Sequence, residues 1–297
     1  MGCAGPKSFI KVKGELSFLD IARRQHEAFN ELHGCRVPLL LMNSFYTDMQ
    51  TIDKLGAESS VKSFCQSRCP RIYADTWYPP GHGNIFQSLA MNGILDELLE
   101  QVSTSPNADE SLQGGTLIDI GGQLMHLEIP QVPPEHLDEF CSTRTFKIFN
   151  TNNIWVNLRA VKRQLETISS EIIVNKKVLN GRDVIQLETS IGGCIRNFAK
   201  AYCVHVERSR FLPVKKTDDL LAICSDLYTL TDSWALQLSK QGAAPTVELG
   251  KCFQKVDEFH ARFEEYPDIR ELRSLRIDGD FRFEKDVVLK VFYCIEL

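Results

Sequence analysis

The sequence predicts an α/β protein with a doubly wound layer, in which helices alternate with short apolar strands. Three stretches predict it. Val37–Met42, VPLLLM, is an uninterrupted apolar run, the pattern of a strand buried on both faces. It stands between two helical patterns, and a second short apolar strand follows near Val61–Cys65. Trp77–Asn84, WYPPGHGN, then gathers an aromatic pair, two prolines and a Gly-His-Gly directly before an apolar helical pattern. Ligands of such sheets sit in crevices at the strand ends, where this loop falls.

The chain has 297 residues and 43% hydrophobic content, enough for one large or two ordinary domains with a substantial core. Its 34 basic residues are scattered among 39 acidic ones without a long basic run, which argues against nucleic acid as a partner. No apolar run approaches the roughly 18 to 20 residues of a membrane span. The opening MGCAGPKS has no signal-peptide core, so a cytoplasmic protein without a membrane partner is expected. The ten cysteines form no CxxC pair, and Cys65 and Cys69, the closest two, lack zinc-like companions; reduced thiols are expected.

In order, Ser17–His33 reads as a helix with Phe18, Ile21, Ala22, Phe29 and Leu32 broadly on one side, stopped by Gly34. After the strand at Val37–Met42, a helix reaches about Leu55. Asn84 is placed to cap a helix that runs, broken at Gly93, to about Glu100. Residues 102–111, VSTSPNADES, read as an exposed linker. Thr116–Ile129 reads as a hairpin around Gly121 and Gly122, followed by a short helix from Pro133. In Phe146–Val156, FKIFNTNNIWV, asparagines interrupt a strand-like pattern, for which two reasons stand side by side: capping of the next helix at Asn157, or contact with a polar ligand.

A helix at Leu158–Glu166, strands at Glu171–Val174 and Val184–Leu187 around the Asn180–Gly181 turn, a helix near Gly193–Ala199 and a strand at Tyr202–Val206 continue the alternation. SRFLPVKK, Ser209–Lys216, feeds a helix opened by Thr217, Asp218 and Asp219, whose charges suit its N-terminal dipole. Its lysines are either solvated surface or phosphate clamps. A further helix at Val256–Phe263 precedes two-residue alternation over Leu275–Lys290 with a turn at Gly279. The loop Trp77–Asn84 is thus either a rigid turn before a helix or an element that presents a ligand.

In order and spacing, MGCAGPKS, VPLLLMNSF, QSRCPR, WYPPGHGN, GGTL, LEIPQVP, FKIFNTNNIWV, VIQLET and SRFLPVKKTDDLL resemble the eukaryotic UTP–glucose-1-phosphate uridylyltransferases, or UDP-glucose pyrophosphorylases. The resemblance implies a Rossmann-like nucleotidyltransferase core over 1–267 and a truncated C-terminal left-handed β-helix over 268–297. It implies UTP and glucose 1-phosphate as substrates, Mg²⁺ as cofactor, and direct attack on the α-phosphorus without a covalent intermediate. Lys7 and Lys215 would be catalytic and phosphate-holding. Met42, Gln66 and Gly81 would contact the nucleotide; His82 would contact the sugar phosphate, and Gly115, Glu128 and Asn152, with Asn150 beside them, would form the glucose-facing wall.

The departures are as specific. The family's glycine-rich nucleotide loop would stand just before Met1 and is not in the sequence given. An aspartate motif that binds Mg²⁺ should follow the helix ending near Glu100, where VSTSPNADES stands instead, so no metal ligand is assigned; Asp109 is not given the role. The cut β-helix weighs against homo-oligomeric assembly through that domain. These losses weigh against normal turnover, so the alternative is an inactive relative or incomplete isoform acting only as a binding or regulatory protein.

Overall fold

The computed structural model describes all residues except 4, 57–58, 103–115, 129–130, 143, 146–150, 208–209, 241 and 297. Asp109, Gly115, Asn150 and most of the expected linker therefore lie outside the described residues. The first elements are β1 (Lys11–Lys13), β2 (Leu16–Ser17), α1 (Phe18–His33), β3 (Leu40–Asn43), α2 (Asp48–Leu55), β4 (Lys62–Cys65), β5 (Cys69–Pro70) and β6 (Trp77–Tyr78). Next come α3 (Ile85–Met91), α4 (Ile94–Val102), β7 (Thr116–Ile120), β8 (Gln123–Leu127), α5 (Leu137–Phe140), α6 (Leu158–Gln164), β9 (Ile172–Leu179) and β10 (Arg182–Thr189). The rest is α7 (Thr217–Cys224), β11 (Tyr228–Leu230), β12 (Leu236–Leu238), β13 (Thr246–Leu249), α8 (Val256–His260), β14 (Leu272–Asp278) and β15 (Val291–Glu296).

The chain divides into two compact units: Met1–Leu39, Asp53–Lys62 and Leu212–Leu297 form the first, Leu40–Ile52 and Ser63–Phe211 the second. In the first unit, α1 starts where the sequence asks. Asp20 N donates to Ser17 Oγ while Ser17 N donates to Asp20 Oδ2, a reciprocal cap worth about 1 kcal/mol. It stops at Gly34, whose φ of 58° suits a residue without Cβ. The helix buries Leu19 and Ile21, but Phe29 and Leu32, expected on the same face, are exposed. The apolar stripe therefore packs only over the first turns.

The core of this unit joins Leu220 and Leu221 of α7, Phe253, Phe259 of α8, Ile269, and Leu272 and Leu275 of β14. β13, β14 and β15 form a parallel sheet, in register at Thr246↔Ser274 and Ser274↔Phe292. Two isolated parallel bridges, Phe263↔Phe283 and Asp268↔Val288, repeat the same direction. The expected left-handed β-helix is not seen among the described residues; this three-stranded sheet stands in its place.

In the second unit, Phe86 and Leu89 of α3 and Ile94 and Leu95 of α4 pack with Ala160 and Val161 of α6, Cys194, Ile195 and Phe198. Gly93, φ 72°, makes the expected break between α3 and α4. Hairpin β7–β8 turns at Gly121–Gly122. Hairpin β9–β10 turns at Asn180–Gly181, both at positive φ, as a tight two-residue turn requires.

Several expectations need correction. β3 is only half-buried along Leu40–Met42, not covered on both faces. Residues 151–156 and 202–206 form no strand, and Tyr202 and Val204 are exposed. Apart from β13–β14–β15, the strands pair two by two among the described residues, so a continuous doubly wound sheet is not formed. A short apolar run becomes a strand only where a neighbouring strand pairs with its backbone, and among the described residues no strand pairing includes these two runs. The mixed α/β class stands. Among the described residues, no helix is long and apolar enough to cross a membrane.

Candidate functional site

The loop at Trp77–Asn84 is held from beneath. β6 pairs with β5, and the Arg71 guanidinium donates to Trp77 O at 2.7 Å. The buried Tyr78 hydroxyl accepts from Leu187 N at 2.6 Å and donates to Leu187 O at 2.8 Å. Thr189 N donates to Pro80 O at 2.7 Å, which fixes the loop to the end of β10. Gly81 sits at φ 96°, and a Cβ there would stand 2.6 Å from Thr189 O; at Gly83 it would meet Thr189 at 2.8 Å. Only glycine permits this approach.

The same tether aims His82. Ile191 N donates to His82 Nδ1 at 3.2 Å, so the neutral ring carries its proton on Nε2, on an exposed side chain. Asn84, expected as an N-cap, has helical φ/ψ and gives α3 no side-chain cap. A 3-10 turn at His82–Asn84 runs straight into the helix, so Asn84 is already within it. Its Oδ1 instead accepts from Ser67 N at 2.9 Å and Ser88 Oγ at 2.7 Å.

That bond ties the loop to the segment leaving β4, next to Gln66. Gln66 N donates to Asn43 O at 2.8 Å, while its side-chain Oε1 is buried without a partner among the described residues. A buried acceptor left unpaired is unfavourable and suits a site where a ligand supplies the donor. Met42, on β3, is half-buried against the second unit's core.

Glu128 leaves β8 with its backbone N donating to Gln131 Oε1 at 2.8 Å. Gln131 Nε2 donates to the Glu171 carboxylate, which Arg196 pairs at 3.1 Å. His126, buried on β8, lies 3.9 Å from the Glu128 carboxylate. Burial lowers its pKa below the ordinary histidine value, against the pull of Glu128 and Glu171 and with help from the nearby His82. His82, His126 and Glu128 thus share one neighbourhood.

Asn152 adopts a left-handed backbone, φ 57°. Its neighbours Thr151 and Asn153 line a cavity of about 380 Å³ with Trp155, Arg210 and Phe211. Asn157 caps α6, its Oδ1 accepting from Arg159 N and Ala160 N.

Lys7 and Lys215 belong to the first unit, and both are exposed. Lys7 opens a 3-10 turn, Lys7–Phe9. Thr217, expected to cap α7, is its first residue, and Lys216 is the N-cap. Asp219 Oδ2 accepts from Lys215 N and Lys216 N at 2.8 and 2.9 Å, and Asp218 Oδ1 accepts from Leu249 N at 2.6 Å. Both acids are occupied by backbone donors. Among the described residues no group of three His, Cys, Asp or Glu residues could hold a metal ion.

The family model described as UTP–glucose-1-phosphate uridylyltransferase matches residues 1–106 and 101–290. The chain belongs to this family of uridylyltransferases. It is 44% identical to the UTP–glucose-1-phosphate uridylyltransferase of Hordeum vulgare, over 98% of this chain and 73% of the relative. It is 42% identical to that of Saccharomyces cerevisiae, over 98% and 70%. Among solved structures, Trypanosoma brucei UDP-glucose phosphorylase matches with TM-score 0.82 and 27% identity, over 99% of this chain and 83% of that one. A Leishmania major UDP-glucose pyrophosphorylase variant in complex with UDP-glucose matches with TM-score 0.79 and 26% identity, over 92% and 73%.

The barley alignment runs over 345 positions, longer than this chain, so the relative carries interior residues without a counterpart here. The two family-model matches meet at 101–106, where the aspartate motif was expected to follow. A shortened uridylyltransferase-family chain accounts for both. Sequence reasoning missed Tyr78, His126, Gln131, Thr189 and Arg196. The signal for the first four was position inside or beside the blocks WYPPGHGN, LEIPQVP and VIQLET; Arg196 lies outside all three.

Proposed function

We propose that this chain binds UTP and glucose 1-phosphate and acts as a uridylyltransferase, forming UDP-glucose and pyrophosphate. The observation that carries the reading is His82, whose Nδ1 is fixed by Ile191 N and whose Nε2–H, on an exposed side chain, would face a sugar phosphate. Around it, the unpaired Gln66 Oε1 would accept from the uracil imide, and Gly81 and Met42 would let the base lie close. Glu128 and Asn152, with Gly115 and Asn150, would read glucose hydroxyls.

In this reading a phosphate oxygen of glucose 1-phosphate attacks the α-phosphorus. The new P–O bond forms as the bond to the β-phosphate bridging oxygen breaks, and pyrophosphate leaves with that electron pair. Lys7 and Lys215, cations without carboxylate partners among the described residues, would neutralise phosphate charge as the bond breaks. Mg²⁺, which the family typically uses, would add Lewis-acid neutralisation when carried in on UTP. We place these residues within 1–267 and none in 268–297, whose parallel strand pairing we take as the start of a β-helix.

A second reading, an inactive chain that only binds, is favoured by the interior residues of the relatives that have no counterpart here and by the lack of a metal-ligand group among the described residues. Calorimetric titration with UDP-glucose, beside an assay of UDP-glucose formation with Mg²⁺, separates the two. Binding with turnover supports the enzyme, binding without turnover supports the second reading, and neither binding nor turnover removes both.

A further inference from the structure

His126 is the one buried residue of β8 whose burial pattern otherwise stays open or half-open. Burying an imidazole without purpose is unfavourable, so its surroundings matter. Its ring lies flat against Gly192: a Cβ on that glycine would stand 2.7 Å from His126 Cε1 and Nδ1. Gly192 opens the turn Gly192–Asn197, directly after Ile191, whose N–H holds His82. The same turn carries Arg196, which pairs Glu171; Glu171 receives Gln131, and Gln131 fixes the backbone of Glu128. Gln123 Nε2 donates to Arg196 O at 2.9 Å, a second tie between hairpin and turn. One turn therefore sets both sugar-side groups, and His126 stands between them.

Resting on the functional reading above, we propose that His126 is a positioning residue: its buried ring sets the Glu128 carboxylate and, through Gly192 and Ile191, the His82 imidazole to receive the sugar phosphate. The groups that face the ring are Glu128, Glu171 with its partner Arg196, and His82. Burial keeps it neutral at physiological pH. An imidazolium there would face Glu128 at 3.9 Å and draw that carboxylate away from sugar hydroxyls. Sugar recognition is accordingly present at neutral pH and lost as pH falls below the ordinary histidine range.

The test compares UDP with UDP-glucose by calorimetry on the intact chain, for wild type, His126→Leu and His126→Gln. UDP affinity should stay within about twofold, while UDP-glucose weakens about tenfold or more in the leucine variant, roughly the worth of one misplaced hydrogen bond, and recovers partly with glutamine. Equal weakening of both ligands, or of neither, overturns the assignment. Nitrogen-15 imidazole spectra of the ligand-free chain keep the question separate from binding. In wild type the His82 resonances should show an inflection at the protonation of His126, and in His126→Leu they should shift. His82 resonances indifferent to both overturn the proposal even if neither ligand binds, whereas a coupled His82 without binding sinks only the functional reading.

Discussion

The two units treat polarity in opposite ways. The first packs an aliphatic and aromatic core against α7, α8 and the β13–β14–β15 sheet, and carries Lys7 and Lys215 outside it as exposed cations. The second holds polar groups within its framework: the Tyr78 hydroxyl and the Gln131–Glu171–Arg196 chain are tied by hydrogen bonds, His126 is buried, and the Gln66 side-chain carbonyl is buried without a partner among the described residues. Phosphate charge is felt over several ångströms and tolerates a flexible ammonium. Reading a base or a sugar, the role proposed for the second unit's loop, would require donors and acceptors held to a fraction of that distance, which a braced loop can provide.

The comparison can be broken most forcefully in the first unit's core. Phe259 is fully buried, and Phe259→Ala should destabilise the chain by about 3–5 kcal/mol, measured by urea unfolding. UDP-glucose affinity should be unchanged under conditions where the variant is folded; a lost affinity would mean that core also shapes recognition. Next, Lys215→Ala should lower UDP-glucose formation by about 10²–10³-fold, or 2.7–4 kcal/mol, with little change in melting temperature, because the side chain is exposed. An equal turnover in variant and wild type removes Lys215 from the chemistry.

Gly81→Ala should cost about 1–3 kcal/mol of strain and weaken UDP-glucose binding, since the new methyl meets Thr189 O. Retained affinity would show that the loop is less braced than the Pro80 and Tyr78 bonds imply. The smallest effect concerns the cap of α1. Although burial raises the Asp20 pKa, hydrogen bonds from Ser17 and the Lys54 ammonium bring it below the aspartate value of 3.8. A carboxyl depressed on folding stabilises above its unfolded pKa, and that contribution fades as pH falls through the folded one. Stability should therefore decline in this acid window, and less so in Asp20→Asn, by about 1 kcal/mol or less in chemical unfolding curves.

What the sequence made legible was local. Ser17 and Gly34 delimit α1 because caps are decided within a few residues, and Gly93, Gly121–Gly122 and Asn180–Gly181 mark turns because the backbone there needs positive φ. The loop WYPPGHGN was recognisable for the same reason. Burial of Val37–Met42 and pairing of Tyr202–Val206 were not, since each depends on neighbours that a residue pattern does not contain. Asn84 shows the limit in a single side chain. It stands before a helix, as caps do, yet bonds to Ser67, which the sequence places far away. The role of His126 was hidden likewise, for it rests on Gly192 and Ile191, brought near only by folding.

The Tyr78 hydroxyl grips both the N–H and the C=O of Leu187, as a neighbouring backbone would. The Leu187 amide can therefore trade its proton for deuterium only when Tyr78 withdraws. Its exchange rate is a clock for undocking of the loop that carries His82, readable without ligand, label or substitution.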